Sequence, residues 1–378
     1  MRIFLFDMDG VLLESRGYHL ALRETVRRMA RALGFGEVTL SPDNIATFES
    51  GGITCEWDEA AISTALLLEM AWKDDPHCAL PESLGRPAPD VQDPRPAPDF
   101  GTVAHALTTP NLLSVHPLER AERYFFAAHS FTPSQSAILL ELIRGARDPR
   151  RSLTHRTFQE LVLGSEEFAR TYHLPAELDT ESHLLKYDRS GLSASESARL
   201  RDWTSMPDHA AVIITSRPSR APAGIFSTPE AELGAALVGL DGIPILGWGG
   251  LVWLGQQRQA DPQTFLKPSP VHALAALRMA LGDDQETALS AAVELGETGN
   301  DHEAWEELDS AQVSVFEDTP GGIRSLQAAA QILDTMGIYL ETKYYGIAQN
   351  PVKIEALHAN QAQTFPALAE ALKNADCG

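Results

Sequence analysis

Apolar residues along this chain fall into two regimes. At the amino end, Ile3-Phe4-Leu5-Phe6 is a short unbroken apolar run that reads as a buried strand within residues 1–12. From about Ser15 the apolar positions recur at helical spacing. The pattern runs through His19–Met29, from Trp57 to Met70, and again over Leu118–Phe126, Ser134–Ile143, Thr157–Leu163 and Ser193–Trp203. Residues 76–98 break it with Pro87, Pro89, Pro94, Pro96 and Pro98, which predicts an extended surface loop without regular structure. Residues 15–207 therefore predict a mostly helical block.

Strand-like runs then return. Ala210–Thr215 and Val313–Phe316 predict buried strands and Gly337–Leu340 a further strand; Ile243–Leu246 and Leu251–Trp253 are further short apolar runs. Val271–Leu281, Ile323–Leu333 and Pro366–Lys373 predict helices between or after them. Strands alternating with helices predict an α/β fold: a doubly wound parallel sheet with helices on both faces. The sheet domain is discontinuous, 1–14 with 208–378, and the helical domain 15–207 is inserted in it. An insertion straight after the first strand predicts a second domain over that strand's carboxyl end.

Composition narrows the function classes. The chain has 378 residues, 44% hydrophobic, enough for two domains with sizeable cores. Thirty basic against 52 acidic residues leave a net charge of −22. That argues against nucleic acid and against anionic membrane surfaces as partners. A small phosphorylated metabolite stays open, because a metal and a few local cations set the field inside a site. Cys55, Cys78 and Cys377 match neither a zinc spacing nor a disulfide framework, which predicts a cytoplasmic protein. The first apolar run is too short for a signal peptide and carries acids; Leu237–Leu254 is broken by Asp241, Pro244 and glycines, so it does not read as a membrane helix.

The candidate chemistry sits at strand ends. Asp7 and Asp9 follow the first strand; residues two apart in a strand point the same way, so both carboxylates face one small volume. Open α/β sheets bind ligands at that end, and crowded carboxylates demand a proton or a hard cation such as Mg²⁺. Asp and Gly also serve a plain turn there. Thr215, with Ser216 and Arg217, ends a second strand, and alone its hydroxyl could satisfy a nearby backbone group. Lys267, in Leu266-Lys267-Pro268-Ser269-Pro270, alone reads as a solvated loop cation. Glu317-Asp318, before Thr319-Pro320-Gly321-Gly322-Ile323, alone reads as a turn and helix cap.

As a set, Asp7-Met8-Asp9-Gly10-Val11-Leu12, Thr215, Lys267-Pro268-Ser269-Pro270 and Glu317-Asp318-Thr319-Pro320-Gly321-Gly322-Ile323 resemble the haloacid dehalogenase (HAD) superfamily of phosphotransferases. The subgroup resembled carries a helical cap inserted after the first motif, as in phosphoglycolate-phosphatase-like and β-phosphoglucomutase-like members. The resemblance covers 1–14 and about 208–378. It implies a Rossmann-like core with an enlarged helical cap and Mg²⁺-dependent hydrolysis of a small phosphate monoester. Asp7 would be the nucleophile and Asp9 the acid and then the base. Thr215, Ser216 and Arg217 would meet the phosphoryl group, and Lys267 would neutralise it. Asp7, the Asp9 main-chain carbonyl, Glu317 and Asp318 would hold the metal. Asp9 together with Asp318 argues against carbon–halogen cleavage, and the cap lysines Lys73 and Lys186 sit in no context that suggests a Schiff base. A phosphomutase with the same residues, or a non-catalytic binding protein on the same fold, remains open.

The insertion is far longer than the usual cap of that subgroup. Within it, Phe48-Glu49-Ser50-Gly51-Gly52-Ile53-Thr54-Cys55-Glu56-Trp57-Asp58 stands out. Glycines ahead of a helix bring backbone N–H groups near a ligand, which makes Gly51, Gly52, Glu56, Trp57 and Asp58 candidates for substrate contact. The competing reading is a helix-entry turn with Trp57 in the domain core. Arg16, Tyr18 and His19 are candidates for a hinge or cleft lining. Arg120, Arg123 or Arg156 could hold a second anionic group, although helix-surface charges usually do nothing specific.

Overall fold

A computed structural model describes residues 1–50, 52–85, 93–107, 115–128, 130–298 and 302–375. The chain divides into two compact units: Met1–Ser15 with Asp188–Gly378, and Arg16–Tyr187.

The first unit is built on a six-stranded sheet. Its strands are β1 (Arg2–Phe6), β4 (His209–Ile214), β5 (Ile245–Leu246), β6 (Ala311–Glu317), β7 (Leu340–Ile347) and β8 (Gln363–Phe365). Their order is β5-β4-β1-β6-β7-β8, and every pairing is parallel. Two further strands, β2 (Leu13–Glu14) and β3 (Arg189–Ser190), form a small antiparallel ladder. After β1 the chain builds outward through β4 and β5, then returns to the other side of β1 with β6. The order therefore reverses beside β1, the position at which an open sheet leaves a crevice beyond its carboxyl ends.

Alternation along each strand sorts the core into two layers. Ile3, Leu5, Val212, Ile214, Val313 and Val315 face one side, under helices Trp248–Arg258, Pro270–Ala280, Gln285–Thr298 and Pro320–Thr335. Phe4, Phe6, Ala211, Ile213 and Phe316 face the other, under helices Ala194–Thr204, Glu230–Val238 and Leu368–Asn374. Phe6, Phe316 and Tyr345 stack across three adjacent strands at 4.7 and 4.9 Å between ring centroids. Phe4 stacks on Trp203 at 3.9 Å.

That last contact corrects a boundary. The periodicity places the helix around Ser193–Trp203 in the inserted block, ending at 207. It belongs instead to the sheet unit, which resumes at Asp188, because Leu200 and Trp203 cover Phe4. Leu251–Trp253 is likewise no strand but the middle of helix Trp248–Arg258. The strand anticipated at Gly337–Leu340 starts at Leu340 and runs on to Ile347.

The second unit contains, among the described residues, helices only. The principal ones are Gly17–Ala32, Glu56–Asp74 and Leu153–Leu163, with the first packed against the other two and against His183–Tyr187. Glu56–Asp74 is buried on almost every side, as expected of a central helix. Residues 76–85 and 93–98 carry neither helix nor strand, as the prolines predict, and 86–92 lie outside the described residues. Residues 93–98 are nevertheless tied down: Arg95 N donates to Gly34 O at 2.9 Å, and its guanidinium lies over Phe35. Among the described residues no helix is long and apolar enough to cross a membrane.

Candidate active site

The parallel register brings three strand ends together. Asp7 is the first residue past β1, and its N–H donates to Phe316 O at 2.9 Å in β6. Thr215 is the first past β4, held by Leu246 O at 3.0 Å. Glu317 closes β6, with Asp318 next. Beyond Asp9 the chain turns sharply at Gly10, whose φ of +79° only glycine adopts freely. A Cβ there would collide with the Asp318 carboxylate, so this glycine also makes room for an acid.

Lys267 ties the strand ends to one another. Its Nζ lies 2.6 Å from Asp7 Oδ1 and donates to Glu317 Oε1 at 2.7 Å and to Ile214 O at 3.2 Å. The loop that carries it is fixed by Ser325 Oγ, which donates to Ser269 O at 2.6 Å. His272 Nδ1 fixes it again by accepting from Lys267 N at 3.3 Å. Asp318 pairs with Lys353, from the turn of helix Pro351–His358 that follows β7.

One buried ammonium does not balance the acids around it. Burial pushes the Glu317 carboxyl well up, the neighbouring Asp7 pushes it further, and Lys267 offsets only part. Asp7 is raised in the same way, by burial first and by Asp9 and Asp318, against Lys267. Lys267 is driven up: burial opposes its charge, but Asp7 and Glu317 outweigh it. Ligand oxygens of Asp7, Glu317 and Asp318 all lie within 4.8 Å of one another. Glu317 Oε2 is buried with no hydrogen-bond partner. An all-oxygen donor set with surplus negative charge and an unpartnered carboxylate oxygen fits a hard divalent cation.

The Asp9 carboxylate turns away from that triad. Arg217 Nε donates to both of its oxygens at 2.9 Å, and Nη2 to Oδ1 at 2.6 Å. Burial raises the Asp9 carboxyl, but Arg217, Ser15 and Lys267 together bring it below the ordinary carboxylate value. Arg217, expected on the substrate, is thus committed to acids of the protein and is 3% exposed. Thr215 Oγ1 accepts from Arg217 N at 3.1 Å, which leaves its hydroxyl proton to donate. Ser216 is exposed beside it.

In the helical unit, Gly51 lies outside the described residues. Gly52 is exposed at φ +74°, between helix Pro42–Ser50 and helix Glu56–Asp74. Trp57 stacks on His155 at 4.2 Å, and Asp58 is buried against Arg147 at 2.8 and 3.0 Å, the packing that a helix-entry turn requires. Tyr18 stacks on Phe158, and His19 pairs with Glu49 at 2.9 Å. Of the basic candidates, Arg120 donates to Val115 O, Arg123 pairs with Glu119, and Arg156 pairs with Glu177. A cavity of about 240 Å³ in this unit is lined by Arg150, Arg151 and Arg156 among others, but Arg151 is already neutralised by Glu141.

Lys353, Ser15 and Asp188 join the site without any local sequence signal. Each is an ordinary polar residue: Lys353 and Asp188 are far from the motifs in sequence, Ser15 lies three residues past the first, and they are brought in by the ends of β7 and of the two chain crossings. No protein-family description and no curated protein matches the sequence. Among solved structures, an X-ray structure from the Northeast Structural Genomics Consortium aligns over 100% of this chain and 98% of its own, at 16% identity and TM-score 0.64. Phosphatase Tt82 from Thermococcus thioreducens aligns over 94% of this chain and 99% of its own, at 14% identity and TM-score 0.42. The first of these likenesses extends over the full length, and what the chain shares with it is the fold.

Proposed function

We propose that the protein is a Mg²⁺-dependent phosphatase of the HAD type, acting on a small phosphate monoester through a phosphorylated Asp7. The observation that carries this reading is the Asp7–Lys267–Glu317 bridge beside Asp318, at the carboxyl ends of adjacent parallel strands. Phosphoryl transfer needs positioned charge more than covalent machinery, and this cluster supplies it.

Asp7, Glu317 and Asp318 would hold the cation, with the Asp9 carbonyl as a further oxygen. Bound there, it would neutralise acid–acid repulsion and polarise the phosphoryl group. Lys267 holds Asp7 ionised and oriented. An Asp7 oxygen attacks phosphorus as the ester P–O bond breaks, and Asp9 gives its proton to the leaving oxygen. A dianionic phosphate beside Asp9 favours that protonated form against the pull of Arg217. Water then attacks the phosphoryl-Asp7, Asp9 takes its proton, and phosphate leaves with Asp7 restored. The Thr215 hydroxyl and the Ser216 backbone N–H are the donors nearest the end of β4 for the phosphoryl oxygens.

The intermediate provides the test. Asp9→Asn removes the base for the second step, so incubation with Mg²⁺ and an activated aryl phosphate should leave one phosphoryl group on the protein by intact mass. Peptide mapping should place it on Asp7. Label on another residue, or none while the wild-type protein turns over, would contradict the nucleophilic role.

A further inference from the structure

Around the Asp9 carboxylate lies a charge network whose other members, Arg217, Asp188 and Ser15, are not among the metal-binding acids. Arg217 is buried, and its planar fork meets Asp9 through two nitrogens. The same Nη2 donates to Asp188 Oδ2 at 3.0 Å and to Ser15 Oγ at 2.9 Å. Ser15 Oγ in turn donates to Asp9. Asp188 is 2% exposed, lies outside the metal triad, and is not one of its ligand candidates. Ser15 is the last residue of the sheet unit before the helical insertion and Asp188 the first after it.

The backbone of Arg217 is pinned as firmly as its side chain. Its N–H donates to Thr215 Oγ1, and its carbonyl accepts from Trp248 N at 2.9 Å. Gly247 allows that approach, since a Cβ there would lie 2.9 Å from the Arg217 carbonyl oxygen. An arginine placed to bind a substrate phosphate points its fork at open space. Here Nε and Nη2 are spent on two acids, the part-exposed Asp9 and the buried Asp188, and only one of them has chemistry to do.

We propose that Arg217 is a positioning residue: with Asp188 as its counter-acid, it fixes the plane of the Asp9 carboxyl so that one oxygen is aimed at the leaving group. A bidentate guanidinium fixes a carboxylate plane as a single ammonium does not. Proton delivery in phosphoryl transfer depends on that placement. The inference rests on the phosphatase reading above. It implies that the network acts on the leaving oxygen and leaves the affinity for the phosphoryl group alone.

Leaving-group dependence separates this role from a structural one. Single-turnover alcohol release with Mg²⁺ is measured for wild type, Arg217→Lys and Asp188→Asn on two esters. One is an alkyl phosphate, whose leaving oxygen needs a proton. The other is 2,4-dinitrophenyl phosphate, whose leaving oxygen does not. Arg217→Lys should slow the alkyl ester about 100-fold and the dinitrophenyl ester less than about threefold, with half-saturation little changed. Asp188→Asn, which keeps the Arg217–Asp9 pair and nearly the same volume, should show the same signature in smaller degree.

Equal losses on both esters would overturn the proposal, as would a rise in half-saturation with an unchanged maximal rate. So would an Asp188→Asn protein indistinguishable from wild type, even if Arg217→Lys failed to fold. Wild-type protein that released alcohol from neither ester would refute the phosphatase reading itself, and this inference with it.

Discussion

Lys267 is the residue on which the site's electrostatics turn. It stands between two buried carboxylates that would otherwise repel, and burial has raised both of them. Lys267→Ala should lower steady-state turnover by about 100- to 1000-fold, the usual cost of deleting one preorganised charge at a reacting centre. Near-normal turnover would remove Lys267 from the chemistry. Asp7, Asp9, Thr215, Lys267, Glu317 and Asp318 were legible in the sequence because each polar residue directly follows an apolar run or sits in a short Pro- or Gly-marked peptide. Asp188 and Lys353 were not, since nothing in their own segments distinguishes them and only the chain's path delivers them. Arg217 was visible as a candidate, but its partners were not. Which acid a buried arginine faces is a tertiary fact.

At the scale of the element, the strand ends act through the glycines that follow them. Helix Pro320–Thr335 starts after Asp318 and the N-cap Thr319, and its Gly322 lies so close to Glu317 that an added Cβ would overlap the carboxylate. Gly322→Ala should therefore displace Glu317 and raise the Mg²⁺ concentration for half-maximal activity at least about tenfold, the scale seen when groups supporting a metal ligand are lost. A Mg²⁺ titration of the variant checks this; an unchanged midpoint would mean that the helix start yields without moving Glu317. Elements with sustained periodicity were readable. The misassigned ones were short: three apolar residues at Leu251–Trp253 fit a strand or a buried helix equally, and Gly249, Gly250 and Gly255 obscured the helical repeat. β8, at the sheet edge and largely polar, offered no apolar run at all.

For the molecule as a whole, two buried titratable groups of the helical unit, Glu59 and His155, give stability opposing pH dependences. In the helical unit Glu59 is 1% exposed, and its Oε2 lacks a hydrogen-bond partner. Burial, reinforced by Glu56, Glu49 and Asp58, pushes its pKa up to about 10. The folded protein then keeps a proton that the unfolded chain loses above about pH 4.5. This group's contribution to stability is therefore full below that pH and declines as pH rises toward 10. Glu59→Gln should stabilise the protein by about 4 kcal/mol at pH 7.5 and by almost nothing at pH 4.5, read from paired denaturant melts. Equal effects at both pH values would contradict the neutral, buried acid.

His155 works in the opposite direction. Burial holds its pKa down at about 3, so folding loses stability as pH falls below the ordinary histidine range. The division of the chain was legible from the change of periodicity, but its second boundary was not, because a helix that covers the sheet has the same repeat as one that does not.

Everything in the proposed mechanism depends on this cluster of acids and one lysine performing metal-dependent phosphoryl transfer. Its most direct test is phosphate release by the purified chain across a panel of phosphorylated metabolites. Each ester is assayed with Mg²⁺, with EDTA, and with the Asp7→Asn variant. A preferred ester should release phosphate in a way that EDTA abolishes and Mg²⁺ restores, with Asp7→Asn below about one per cent of wild type. Release that survives EDTA or Asp7→Asn, or no release from any ester by folded, Mg²⁺-supplied protein, would contradict it.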